Sequence, residues 1–134
     1  MPPSPVFDRC TFSSLTRITD LASSDFEVER LSRSHWETGD YVVGIVTDAS
    51  GYRVIELPTG RDMEIAEGDA IVGAFGTREA TLEMTGSWRA IGPDGVMHAL
   101  TRAGLFGHAE SRSTLVQRPM TLRYHGHVQR NGEK

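Results

Sequence analysis

Apolar and polar residues alternate along most of this chain with the two-residue period of half-buried strands. The early exception is Leu15, Ile18, Leu21 and Ala22, three or four apart behind Ser13, a good helix cap, so the pattern predicts one short amphipathic helix over residues 13–22. Phe26, Val28 and Leu31 then alternate with Glu27, Glu29 and Arg30 as a half-exposed strand. Segments 41–47 and 52–57, rich in β-branched residues, are the next strands, with turn chemistry at 48–51 and at Pro58-Thr59-Gly60. Segments 63–66, 70–75 and 80–88 continue the series, separated by Glu67-Gly68-Asp69 and by the polar Thr77-Arg78-Glu79. Pro93-Asp94-Gly95 predicts a tight turn between strands at 88–91 and 96–100, and 105–109 and 121–128 complete the set. A meander is the simplest order for strands so close in sequence. Short strands punctuated by turns about every eight to twelve residues predict a mainly β chain, a small closed or partly closed antiparallel β-barrel with one short amino-terminal helix, because closure removes exposed edges. Residues 1–12, with Pro2, Pro3 and Pro5, read as a flexible arm, and 13–134 as a single β-rich domain with its barrel over about 39–128.

One segment repeats. Gly39-Asp40-Tyr41-Val42-Val43-Gly44-Ile45-Val46 matches Gly68-Asp69-Ala70-Ile71-Val72-Gly73-Ala74-Phe75 in the order Gly-Asp, three residues, Gly. Gly-Asp suits a turn entering a strand, and a mid-strand glycine suits a bend or a place where a side chain would collide. The expectation is two related strand units.

Composition narrows the chemistry. At 134 residues, 38% hydrophobic and 24% charged, the chain reads as one globular unit able to bury a core without staples. Cys10 is the only cysteine, which excludes an internal disulfide and any site built from several thiolates. Lys134 is the only lysine, which excludes a Schiff-base enzyme and a Walker A loop within the fold. No positive segment followed by a long apolar run opens the chain, so neither a secretory signal nor a membrane anchor is expected, and the expected location is the cytoplasm. The net charge of -4 is uneven: residues 1–83 hold seven arginines against fifteen acids, residues 84–134 seven bases against three acids. A basic carboxyl-terminal third can mark an anion-binding or partner-docking face.

The candidate residues follow from these patterns. His125 and His127, two apart on a predicted strand, point both imidazoles to one face, and with His98 and His108 they form the metal-ligand candidates. Among residues 101–108 the glycines Gly104 and Gly107 permit close backbone approach and Arg102 can fork onto a carboxylate or phosphate; with Arg123 these are the anion-binding candidates. Neither GxGxxG nor GxSxG occurs, no catalytic residue is assigned, and no cofactor is expected. Trp36, Trp88 and Tyr124 with Arg89, Arg123 and Arg130 offer a stacking platform for nucleic acid, against which the overall acidity and scarcity of lysine argue.

The stretches GDYVVGIVTD, IELPTGR, EGDAIVGAFGTREATLE, GSWRAIGPDG, MHALTRAGLFG and LRYHGHV, between Trp36 and Val128, resemble the amino-terminal β domain of uncharacterised bacterial proteins that continue into a P-loop NTPase-like domain. Barrel modules at the front of hexameric ATPases are similar in layout and serve assembly and gating there. The resemblance implies a non-catalytic binding or adaptor module acting on a protein partner, such as a P-loop NTPase, or on a copy of itself. It carries over no catalytic residue. This chain departs from it at Asn131-Gly132-Glu133-Lys134, where the nucleotide-binding domain would follow, which implies a stand-alone version or a fragment.

Overall fold

The two Gly-Asp segments lie side by side in the computed structural model, which describes residues 10–13, 27–80, 84–112 and 118–129. Strands β3 (Tyr41–Asp48) and β6 (Ala70–Phe75) pair antiparallel, with Val43 opposite Val72, Tyr41 opposite Ala74 and Ile45 opposite Ala70. The displacement that carries Gly39 onto Gly68 also carries Val43 onto Val72, so a local two-fold axis passing between Val43 and Val72 exchanges the two strands. The hydrogen bonds obey the same symmetry. Gly39 N donates to Phe75 O at 2.9 Å and Gly68 N to Val46 O at 2.8 Å; Phe75 N donates to Asp40 O and Val46 N to Asp69 O, both at 2.9 Å. Each aspartate closes its own turn, Asp40 Oδ2 accepting from Glu37 N at 2.8 Å and Asp69 Oδ2 from Ala66 N at 2.9 Å. Gly39 and Gly68 hold φ of 89° and 92°, which a side chain would strain.

The other strands are β1 (Cys10–Phe12), β2 (Glu27–Glu29), β4 (Val54–Glu56), β5 (Asp62–Glu64), β7 (Thr77–Ala80), β8 (Met84–Ser87), β9 (Val96–Ala99), β10 (Leu105–Arg112) and β11 (Thr121–Gln129). The described chain is mainly β, and no helix in it is long and apolar enough to cross a membrane. Pairing runs from β6 to β3, β11, β9 and β10, and β10 returns to β6 through Leu105 opposite Ala74 and Phe106 opposite Phe75. Beyond this circuit β1 shares the outer edge of β6 with β10, β2 pairs with β11, β8 and β7 extend β10, and β4 with β5 form a separate hairpin.

This arrangement corrects the sequence reading in five places. The order is not a meander, since β3 lies between β6 and β11, and the sheet is not wholly antiparallel, since β1–β6 and β6–β10 are parallel. Segment 80–88 is not one strand: Thr77-Arg78-Glu79, read as a connection, is the body of β7, which pairs with β8. Residues 88–91 give a short 3-10 turn, because Ser87 caps Arg89 N and Ile91 N bonds back to Trp88 O. Cys10–Phe12, assigned to the arm, form β1 against β6, and Ser13 N continues the pairing onto Val72 O at 3.1 Å. The helix expected at 13–22 falls, past Ser13, outside the described residues.

Both faces of the β3–β6 pair are covered, which explains why AIVGAF reads as an unbroken apolar run. On one face Val42, Val46, Ile71 and Phe75 join Trp36, Met97, Leu122 and Tyr124 in the main core. On the other Val43, Ala70 and Val72 meet Val128 and the half-buried Phe12 and Val28 of β1 and β2. The mid-strand glycines are where crossing chains come closest. A Cβ on Gly44 would lie 2.5 Å from Met97 Cε, and one on Gly73 would overlap the Gly104 carbonyl oxygen and sit 2.7 Å from the Phe106 ring. Because Gly73 faces backbone, which cannot swing aside, Gly73→Ala is expected to cost about 2–3 kcal/mol in urea unfolding. Gly44→Ala, facing the end of a flexible methionine, is expected to cost less.

Candidate functional site

Three of the four candidate histidines belong to two structural devices, and His125 stands apart from both. His127 is fully buried on β11 and ties that strand to the connection between β2 and β3. Its Nε2 lies 2.9 Å from Asp40 Oδ2, and its Nδ1 lies 2.7 Å from the Tyr124 hydroxyl. A carboxylate only accepts, so Nε2 carries the proton and donates to Asp40, while the phenol donates to Nδ1. The Tyr124 oxygen in turn accepts from Leu31 N at 3.1 Å, and Trp36 Nε1 donates to Leu31 O at 3.0 Å, so both backbone groups of Leu31 are held. Burial first of all pushes the Tyr124 phenol up from its ordinary value, which keeps that proton in place. A chain Leu31–Tyr124–His127–Asp40–Glu37 thus fastens one connection across the end of the main core.

Tyr124 and His127 share a face although they are three residues apart. The reason is a β-bulge: Tyr124 stands opposite Gly44 and Gly126 opposite Val43, so one extra residue enters β11 there. His125, half-buried, falls inside the bulge, and the two-residue spacing that joins it to His127 on paper does not survive.

The second pair lies near the other end of β11. His98 on β9 and His108 on β10 have ring centres 4.7 Å apart and bracket the backbone of one residue, Ala109. Ala109 N donates to His98 Nδ1 at 3.0 Å, and His108 Nδ1 is 3.0 Å from Ala109 O, which as a carbonyl accepts. Ala109 sits where β10 slips register against β8, so the imidazoles serve backbone groups at a ladder irregularity. With Nδ1 of His98 spent as an acceptor, the neutral ring carries its proton on Nε2 and presents no lone pair there to a metal. Among the described residues no three His, Cys, Asp or Glu side chains form a group able to hold a metal ion.

The anion-binding candidates also separate. Gly104 (φ 95°) turns the chain between β9 and β10, and Gly107 lets the Ser87–Trp88 backbone pass closely; both serve the backbone. Arg123 is exposed on β11, between Ile45 and Val96 in the sheet. Arg102 lies on the rim of a cavity of about 330 Å³. Its other polar side chains are Tyr52, Arg78 and Thr101, and its floor includes Val54, Met84, Leu100 and Met120. Arg78 on β7 donates from Nη1 to Leu100 O at 2.6 Å. A hydrogen bond with the Tyr52 hydroxyl, and then Asp62 at 3.7 Å, hold the Arg102 guanidinium still more firmly charged. The turn bearing Arg102 is tied to the β4–β5 hairpin by Glu56 N donating to Arg102 O at 2.7 Å. Sequence reading found Arg102 and missed Arg78 and Tyr52, because β7 was read as a connection and nothing local ties residue 52 to residue 102.

The aromatic platform faces inward. Trp36, Trp88 and Tyr124 are 9%, 8% and 2% exposed; Trp36 packs 4.6 Å from Tyr124, and Trp88 stacks on Phe75 at 5.7 Å. Arg33 lies over Trp36 and Arg89 over Trp88, each at 4.8 Å, and Arg33 also donates to the carbonyls of Ile91 and Arg89. These rings are spent on one another and on guanidinium caps, not offered to bases. No family model, curated protein or solved structure matches the chain.

Asp40 and Asp69 make matching turn bonds, and Asp40 alone of the two binds an imidazole, so they form an internal comparison. Asp40→Ala is expected to cost about 3 kcal/mol in urea unfolding and Asp69→Ala about 1 kcal/mol, the difference being the buried pair. Burial, and then His108, push the His98 imidazole down to about 4 from 6.5. In that window the unfolded chain binds the proton that the folded chain excludes, so this contribution to stability is complete above about 6.5 and is lost as pH falls toward 4. His98→Gln, which keeps an acceptor for Ala109 N, is expected to flatten this part of the melting-temperature profile relative to the parent chain.

Proposed function

We propose that the chain is a non-catalytic binding module: a small, partly closed barrel formed by the β6–β3–β11–β9–β10 circuit, which meets a partner protein with the face around Arg102. The observation that carries this reading is the make-up of the cavity beside Arg102. Its polar groups are two guanidiniums and two hydroxyls above an apolar floor, with no carboxylate, imidazole or thiol among its described lining residues. Such a surface recognises and holds; it has no obvious group to exchange protons with a substrate near neutral pH. The buried imidazole of His127, the alternative centre, has both ring nitrogens bonded within the fold. Tyr52, in the cavity lining, and Met63, on the β4–β5 hairpin, are 39% and 40% exposed, large apolar side chains at the surface.

The partner class comes from the resemblance: a P-loop NTPase, with a second copy of this chain as the other choice. A cytoplasmic setting belongs to the same proposal. Mixed with the P-loop NTPase encoded nearest its gene, the chain is expected to co-elute in size-exclusion chromatography. The double variant Tyr52→Ser, Met63→Ser is expected to elute alone while melting at the same temperature. Separate elution of the parent chain removes that partner, and a monomeric mass at high concentration by light scattering removes self-association.

A further inference from the structure

The cavity beside Arg102 has a chemical signature more specific than a general docking face. Two cations line it and no described acid does. Both have partners within the fold before any ligand arrives. Arg78 is anchored to the Leu100 carbonyl, whereas Arg102 rides on a turn held to β4 by the Glu56 N bond and to Tyr52 by its side chain. A guanidinium already positioned loses little freedom on binding and presents a planar fork that matches a carboxylate. The floor asks for something else. Val54, Met84, Leu100 and Met120 give hydrocarbon and thioether surface, which a strongly hydrated inorganic anion cannot use. At about 330 Å³ the space lies near the lower end of small-molecule sites, which run from about 300 Å³ upward.

We propose that this cavity binds a monocarboxylate with a compact apolar body, the acid group meeting Arg102 and Arg78 and the body lying on Val54, Met84 and Met120. The inference rests on the reading of this face as the binding face and names the chemistry it takes. Asp62 is not part of the lining, yet it holds Arg102 at 3.7 Å and is therefore the internal competitor of the ligand's carboxylate. A free short-chain acid and the carboxyl terminus of a peptide ending in an apolar residue share this chemistry.

The test is calorimetric titration of the full chain with octanoate, octanol, and an acetylated tripeptide ending in leucine as its free acid or its amide. Saturable binding is expected for octanoate or for the peptide acid, with octanol and the amide weaker by about tenfold or more, as loss of a charge-assisted contact implies. Octanoate alone identifies a free acid as the ligand, and the peptide acid alone a chain terminus. Arg102→Gln, a change at a half-exposed side chain, is expected to weaken binding by about tenfold and Asp62→Asn to tighten it. Arg78→Gln gives a second reading where the variant stays folded. Failure of both acids to bind, equal binding of octanol and octanoate, or binding unchanged in Arg102→Gln overturns the proposal. If the acids fail while co-elution with the partner persists, only the carboxylate inference falls; if the acids bind while co-elution fails, only the partner reading falls.

Discussion

The antiparallel contact between β3 and β6 is the constraint on which the rest of this fold depends. Its two strands are buried on both faces, so every residue of the pair answers to a neighbour: Val42 and Ile71 to the main core, Val43 and Val72 to the layer under β1 and β2. Such double burial requires that other strands come close without collision. Gly44 and Gly73 supply the room, one against Met97 and Leu122, the other against Gly104 and Phe106. Gly39 and Gly68 supply the positive φ that starts each strand, and Asp40 and Asp69 fix the turns. A short sequence phrase used twice therefore determines where β9, β10 and β11 can pass.

The histidines show how the fold handles its irregularities. A bulge in β11 brings Tyr124 and His127 onto one face, and a register slip in β10 falls at Ala109. In both places imidazoles take up polar groups: Asp40 and the Tyr124 hydroxyl around His127, the Ala109 backbone between His98 and His108. Burying such groups without partners would cost more than these side chains contribute by packing alone. Of the side chains that suggest a metal site in the sequence, His98 and His108 answer backbone groups in the folded chain and His127 answers two buried side chains.

What could be read from the residues alone tracks how local the cause is. Segment 70–75 was legible to the residue, because β-branched content and a Gly-Asp turn act over a few positions. The turn at Pro93-Asp94-Gly95 was legible for the same reason, with Gly95 at φ 73°. Strand order was not, because the partner of β6 is chosen by burial on two faces and by parallel edges at β1 and β10 that leave no local mark. The pairing of His125 with His127 failed on a single inserted residue, which reverses the alternation of faces. Of the candidate site, Arg102 was visible as a residue type in a glycine-rich loop, whereas Arg78 and Tyr52 reach it only through β7 and the residues leading into β4.

The local two-fold axis between Val43 and Val72 makes the molecule its own control. The identical mates Gly39 and Gly68, Asp40 and Asp69, Val43 and Val72, and Gly44 and Gly73 share ladder geometry and turn chemistry and differ in what surrounds them. A residue change made first on one strand and then at its mate therefore subtracts the common backbone from the measurement and leaves the influence of the environment, a separation that most single-domain proteins do not permit.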